Sequence, residues 1–415
     1  MNAPDVVDVV ALGESMVTFL PTRAGRLADV PSFDRAIGGA ESNVACGLAA
    51  AGHAVRWVSR VGSDGFGDHL LETVGGYGVD VSAVGRDSWR PTGVYFRTAG
   101  DRATDAHEVA YYRAGSAASA MSVENVDLAA VRAARVLHLS GITAALSEGC
   151  LALLRALMAP GEGRPLVSFD VNHRAGLWRD ADGPRVLLEL ARGADIVFVG
   201  EDEAEEAWGI SGGPSAIRAA LPEPGVLVVK QGGVGATAFV SATGRPGPFT
   251  PRGGAAFRHS PAPLKPDTGP QTQTAAPSPL RTEPAGGRAV VGGSGSAEDG
   301  AASAWVSDAH PRPAPEPGVF VPALHVDVVA TTGAGDAFAA GFLSATLRGL
   351  PLKTRLRHGH LYAAAALTTP GDLATPPTRD TTDRLAAVAD DAWGTLRLGP
   401  GWTQAGTAPE EVRTP

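Results

Sequence analysis

Residues Thr331-Thr332-Gly333-Ala334-Gly335-Asp336-Ala337-Phe338 decide the fold of this chain once their flanks are read with them. They follow a short β-branched run, Val326 to Val329, and open a helical pattern that places Phe338, Phe342 and Leu347 on one side. The pattern stops at Gly349, a natural αL residue just beyond a helix C-terminus. A Gly-Ala-Gly turn at a helix start leaves several backbone N–H groups without an intrahelical partner, which makes a ready site for an anion such as phosphate. An Asp at the end of that turn would repel phosphate if binding were its whole purpose. It makes sense if the carboxylate takes a proton from a hydroxyl while the amides stabilise charge on a phosphoryl group. The plainer alternative is an N-terminal Asp that stabilises its own helix dipole.

Outward from this turn, short apolar runs alternate with helix-like segments. Val6 to Leu12, Val55 to Ser59, Val136 to Leu139, Leu166 to Phe169, Ile196 to Val199 and Val226 to Val229 read as buried strands. Glu41 to Ala51, Glu148 to Met158, Gly183 to Arg192 and Asp202 to Trp208 read as helices between them. The alternation predicts an α/β fold with a mainly parallel sheet, whose ligand sits at the carboxyl ends of the strands. Two segments break it. Phe33 to Ile37, Val94 to Arg97 and Val109 to Tyr112 read as a small antiparallel sheet folded over the site as a lid, with the lid drawn from about residues 14–37 and 91–114. Residues 243–316 are rich in Pro, Gly, Ser, Thr and Ala, a composition that cannot build a core. They read as an exposed, disordered insertion at a hairpin tip between strands near Ala236–Val240 and Val319–Val321, with a docking segment for a partner as the alternative. Residues 399–415 read as a disordered tail, and residues 1–395 as one domain around the insertion.

Composition narrows the function classes. The net charge of −9 argues against a nucleic-acid or anionic-membrane surface. Cys46 and Cys150 lie in apolar, helix-like surroundings and read as buried thiols, not as a disulfide or a metal site. No leader and no apolar stretch of membrane-spanning length is visible, so the expected location is the cytoplasm.

Three further segments carry candidate chemistry. Gly38-Gly39-Ala40-Glu41-Ser42-Asn43 leads into a small-residue helix. Paired glycines allow close backbone approach to a ligand, and Asn43 offers a donor and an acceptor to a sugar hydroxyl, although a plain strand-to-helix turn has the same look. Asp170-Val171-Asn172-His173-Arg174 leaves a strand, and a strand-like continuation would put Asn172 and Arg174 on one face. Lys230 to Ala236 is a Gly-rich loop that a hairpin alone would also explain, and Arg60 to Gly67 reads as a supporting turn. The acidic run Glu201 to Glu206 reads as a solvated helix face in which Glu203, just past a strand end, could serve a metal-bound phosphate. His358 and His360 read as structural.

Together these segments resemble the ribokinase-like (PfkB) carbohydrate kinases: Gly38-Gly39…Asn43 is similar to the first family signature and Thr331 to Phe338 to the second. The resemblance implies a three-layer α/β/α ribokinase-like fold with a small β lid, ATP and Mg²⁺, and phosphorylation of a sugar's primary alcohol. In that reading Asp336 is the general base and Gly333, Ala334 and Gly335 form the anion hole. Asn172, Lys230, Gly232, Gly233 and Gly235 bind ATP, and Glu203 serves the metal through water. Within the family, Thr92 to Tyr95, Tyr111 to Ala117, Leu137 to Thr143 and Gly371-Asp372 are most similar to 2-keto-3-deoxygluconate kinases. That similarity implies that Gly38, Gly39, Asn43, Tyr95, Tyr111, Arg113, Arg174 and Asp372 contact the substrate. A guanidinium suits the carboxylate of a sugar acid. The expected partners are a small sugar acid and ATP, in a homo-oligomer. A neutral-sugar kinase (fructokinase or ribokinase) is the alternative, and a catalytically weak sugar-acid sensor a further one. Two positions depart from the family pattern: Ala330, where an Asp usually helps hold a monovalent cation, and Gly200, where an Asn usually helps organise Mg²⁺ waters.

Overall fold

Among the described residues, the strands of three or more residues are β1 (Val7–Leu12), β2 (Met16–Pro21), β3 (Phe33–Gly38), β4 (Val55–Val58), β5 (Arg60–Gly62), β6 (Gly85–Asp87), β7 (Val94–Arg97), β8 (Val109–Tyr112), β9 (Ala134–Ser140), β10 (Leu166–Asp170), β11 (Ile196–Gly200), β12 (Val226–Lys230), β13 (Gly235–Val240) and β14 (Val319–Pro322). They come from a computed structural model that describes residues 5–23, 25–98, 108–178, 182–241 and 317–404. The expected insertion, 243–316, lies outside the described residues.

One eight-stranded sheet runs in the order β14-β13-β12-β11-β10-β9-β1-β4. The strands from β12 to β4 pair in parallel, and β13 and β14 extend the sheet antiparallel. Alternation along each strand builds two cores. Val9 and Ala11 face one in which the Ala40–Ala50, Ala334–Leu347 and Leu352–Leu367 helices pack. Val10 and Leu12 face the other, with the Glu148–Met158 and Gly183–Gly193 helices. Apolar side chains on both faces are what a central parallel sheet requires, and they give the three-layer α/β/α arrangement. The expected hairpin pairs β13 with β14, Ala238 opposite Val319.

Local chemistry sets several boundaries. Ser147 caps the Glu148–Met158 helix by accepting from the Cys150 N–H at 3.1 Å, and Asp64 caps Gly65–Gly76 through Gly67 at 2.8 Å. Gly349, with φ +70°, ends the Ala334–Leu347 helix as expected. Cys46 and Cys150 are buried free thiols. His358 and His360 are buried on the Leu352–Leu367 helix, His360 bonding the Val321 carbonyl at 3.1 Å.

The small sheet orders its strands β3-β2-β7-β8. Phe19, Phe33 and Phe96 pack on one another, with Phe19 and Phe96 stacked at 4.7 Å between centroids. Tyr95 alternates with Phe96, so it projects from the opposite face, where it meets Tyr111 at 5.4 Å.

One expectation needs correction, and the β-branched run before the glycine turn lies outside the main sheet. Only His325–Val326 is strand, paired with Arg397–Leu398, and Asp327 to Val329 are exposed because no apolar layer covers them. Residues 399–404, expected as tail, are not tail-like: Trp402 packs against the core and Trp402–Gln404 forms a 3₁₀ turn, because an indole there gains from burial. Residues 405–415 lie outside the described residues.

Candidate active site

The carboxyl ends of β1, β9, β10, β11 and β12 and the start of the Ala334–Leu347 helix meet in one cleft. Gly333 begins that helix with φ +79°, and a β-carbon on it would lie 2.0 Å from the Asp372 carbonyl oxygen. Glycine is therefore required by conformation and by space. Having no side chain, Gly333 cannot cap the helix; the Ala334 N–H turns back to the Thr331 carbonyl at 3.4 Å, and the Gly335 and Asp336 amides of the first turn have no side-chain cap. A β-carbon at Gly335 would stand 3.6 Å from Lys230 Nζ, which places the ammonium beside this turn.

Asp336 accepts a hydrogen bond from Asn43 Nδ2 at 2.9 Å, across 293 residues of sequence. Enclosure pushes its carboxyl up to about 7, with nearby Asp170 adding to the effect and Asn43, Lys230 and Arg174 opposing it. Asn43 Oδ1 is buried and has no protein partner, so it remains available as an acceptor. Lys230 sits 3.0 Å from both oxygens of Asp170. Burial works against its charge, but Asp170, with Glu203 and Asp336 behind it, holds the ammonium above its usual range. The cation is thus fixed at the base of the cleft.

The lid reaches the same turn from above. Tyr95 Oη donates to Asp372 Oδ2, Arg97 Nη2 lies 2.7 Å from Asp372 Oδ1, and Arg97 also donates to the Pro370 carbonyl at 3.2 Å. Asp372 therefore joins the lid to the backbone that covers Gly333, and its carboxylate is already partnered. Gly38 and Gly39 do allow close approach, but to protein. A β-carbon at Gly38 would strike Tyr95 Oη and Asp372 Oδ2, and one at Gly39 the Glu14 carbonyl oxygen at 2.4 Å.

Arg113 is partly buried just beyond β8, its side chain 10% exposed, with its guanidinium 5.8 Å from the centroid of the half-exposed Tyr111 ring. It is not free: Nη2 lies 2.5 Å from Glu14 Oε2, while Nε is buried without a partner. Asn172 and Arg174 do not share a face. Asn172 has φ +42°, which turns the chain out of β10, leaving Asn172 buried and the Arg174 side chain exposed, 3.6 Å from Glu203 Oε1. Glu203 accepts the Gly200 N–H at 2.7 Å, closing its own helix start. A β-carbon at Gly200 would lie 2.3 Å from Asp202 Oδ1 and 3.1 Å from Glu203 Cγ, so a side chain here would shift these two. Gly232 and Gly233 are exposed at the turn between β12 and β13. Gly235 is not in that loop. It opens β13 with φ +152°, and a β-carbon there would press on the Val321 carbonyl and the Phe320 ring. The Arg60 to Gly67 turn supports the lid, as Asp64 accepts from the Thr92 N–H and hydroxyl at 2.9 and 2.8 Å.

Two carboxyls were not singled out from sequence. Glu14 is buried at the end of β1, and Glu41 is buried on the Ala40–Ala50 helix, accepting from Thr143 Oγ1 at 2.5 Å. Burial pushes Glu41 up to about 8, with Asp336 adding to the effect. The available signal was a charge on a helix whose other residues, apart from the polar Ser42 and Asn43, are small or apolar. Such a helix has no solvated face to hold it.

2-Dehydro-3-deoxygluconokinases match along most of the chain: that of Bacillus subtilis (strain 168) is 29% identical over 380 residues, 90% of this chain and 94% of its own. Fructokinase-1 of Zea mays is 36% identical over a shorter stretch, 49% of this chain and 62% of its own. The solved structure of a PfkB protein from Polaromonas sp. JS666 aligns with a TM-score of 0.65 and 27% identity, covering 92% of this chain and all of that one. The sequence profile of the pfkB family carbohydrate kinases matches residues 7–253 and 298–379, and the chain belongs to that family.

Proposed function

We propose that this carbohydrate kinase transfers the terminal phosphoryl group of ATP to the terminal hydroxyl of 2-dehydro-3-deoxygluconate (2-keto-3-deoxygluconate). The observation that carries the reading is Arg113, a partly buried guanidinium whose Nε is buried and unpartnered near the lid tyrosines. A buried donor without a partner is costly, and a sugar acid supplies the charged acceptor it lacks. The full-length similarity to a 2-dehydro-3-deoxygluconokinase supports the same substrate.

Asp336 would take the hydroxyl proton as the sugar oxygen bonds to the terminal phosphorus and the bond to the ADP oxygen breaks. Asn43 orients this base, and its free Oδ1 can receive a sugar hydroxyl. The amides from Ala334 to Asp336 and the Lys230 ammonium face the charge that builds on the phosphoryl oxygens. Tyr95 and Asp372 hold the lid against the turn, which keeps water, the competing acceptor, away. The donor set fits Mg²⁺. Asp170 at the end of β10 and Glu203 in the first helical turn after β11 would hold it through water, and the ion would neutralise phosphate charge.

ADP release over a panel of sugars and sugar acids tests the reading. The acid should give the highest kcat/KM. A preference for fructose or another neutral sugar would replace it with the neutral-sugar reading, and absence of turnover with every member would favour a sensor.

A further inference from the structure

Among the described residues, Glu14 is a buried acidic group near the substrate cleft that the mechanism above leaves unused. Its side chain is only 1% exposed, and its carboxylate bridges two groups beyond β8, Arg113 Nη2 at 2.5 Å and Ser116 Oγ at 2.5 Å. The surroundings are shaped around it. A β-carbon at Gly93 would lie 2.9 Å from Glu14 Oε1, one at Gly39 would meet the Glu14 carbonyl, and Trp57 Nε1 anchors the preceding Gly13 carbonyl at 3.1 Å. Glu14 therefore follows an anchored carbonyl, accepts from Ser116 at Oε1 and is in ion-pair contact with Arg113 at Oε2 before any ligand arrives.

We propose that Glu14 is the positioning residue for Arg113: by occupying Nη2 it fixes the guanidinium and leaves the remaining donors, the buried Nε among them, to the carboxylate of the substrate. This deepens the proposed function and rests on it. A buried ion pair is an expensive way to secure a lid, because desolvating both charges offsets much of their attraction. It is economical if the arginine must be present, charged and aimed. A planar fork anchored along one side can recognise a carboxylate with the other, and pre-orientation removes the entropy that a free arginine would lose on binding. The same arrangement discriminates: a neutral ligand would leave the Nε donor buried and unpaired.

The test is a double-mutant cycle read in steady-state kinetics with 2-dehydro-3-deoxygluconate and ATP. Glu14→Gln keeps the shape and removes the charge. It should raise KM for the acid about 10-fold or more, with kcat and the KM for ATP changed by no more than about twofold. In an Arg113→Ala background the same substitution should add nothing, because Glu14 acts through Arg113. Glu14→Asp, which restores the charge, should recover part of the loss. Ser116→Ala loosens Glu14 without touching the ion pair and should repeat the pattern at smaller amplitude, which keeps the proposal open to refutation if Glu14→Gln fails to fold. An unchanged or lowered KM in Glu14→Gln, additive effects in the cycle, or equal losses in kcat and both KM values would each overturn the positioning role. A wild-type enzyme that does not phosphorylate the acid would instead refute the substrate assignment and remove the basis of the inference. Wild-type turnover with an indifferent Glu14→Gln refutes the inference alone.

Discussion

At the scale of single residues, the site depends on two carboxyls that hold their protons more tightly than carboxyls in water. Asp336 is pushed up to about 7 from 3.8, and Glu41 to about 8 from 4.5, in both cases mainly by burial. The base works only when ionised, so kcat should rise with pH through about 7, which a pH–rate profile reads directly. Asp336→Asn should lower kcat about 10²-fold or more, and near-wild-type turnover would remove Asp336 from the mechanism. The same shifts bear on stability. Between the unfolded and folded values the folded chain keeps protons that the unfolded chain has released, so stability falls as pH rises across that window. Asp336→Asn should therefore be more stable than wild type at pH 7, with a gap in Tm that opens from pH 4 upward. Glu41→Gln should behave alike up to pH 8, whereas Glu41→Ala should cost about 1–3 kcal/mol by leaving Thr143 without its acceptor. Thermal melts across pH 4 to 8 check all three variants. Asp336 was legible in the sequence because it ends a glycine turn. Glu41 and Glu14 were not, since burial and a distant partner give them their character.

At the scale of elements, the decisive piece is the turn into the Ala334–Leu347 helix. Its geometry is locked from outside: Gly333 can adopt φ +79° at little cost, and the Asp372 carbonyl closes over it at a distance no side chain survives. Gly333→Ala should destabilise the protein by about 1–3 kcal/mol through backbone strain. It should also lower kcat about 10²-fold or more by displacing the amides, even in the fraction that circular dichroism shows to be folded. Unchanged kcat would mean that the turn does not stabilise the transferring group. The same turn shows why the Asn172–Arg174 segment was misread: alternation holds only while the backbone stays extended, and Asn172 leaves that region at φ +42°.

At the scale of the whole molecule, the catalytic apparatus is assembled by the sheet ends and sealed by the lid, while β13 and β14, which flank the 243–316 stretch in sequence, pair directly with each other. Deleting about Pro246 to Pro315 and closing the gap with a short turn should leave a folded, active kinase. The deleted sequence lacks the apolar periodicity of a core segment, and a shorter loop costs less entropy to close. Gel filtration and ADP release check this; insolubility, or a folded but inactive protein, would overturn it.

By itself the sequence determined the layers, the strand and helix order, the phosphate turn and its base, because these follow from local rules: hydrophobic period, glycine conformation and the helix terminus. Only the tertiary structure decided what each polar group meets. Asn43 reaches Asp336 across 293 residues, and Tyr95 reaches Asp372 across 277. Arg113 arrives already paired with Glu14 from the end of the first strand. Proton affinity and ion pairing depend on burial and on neighbours brought together by folding, and neither quantity is carried by a stretch of chain read alone.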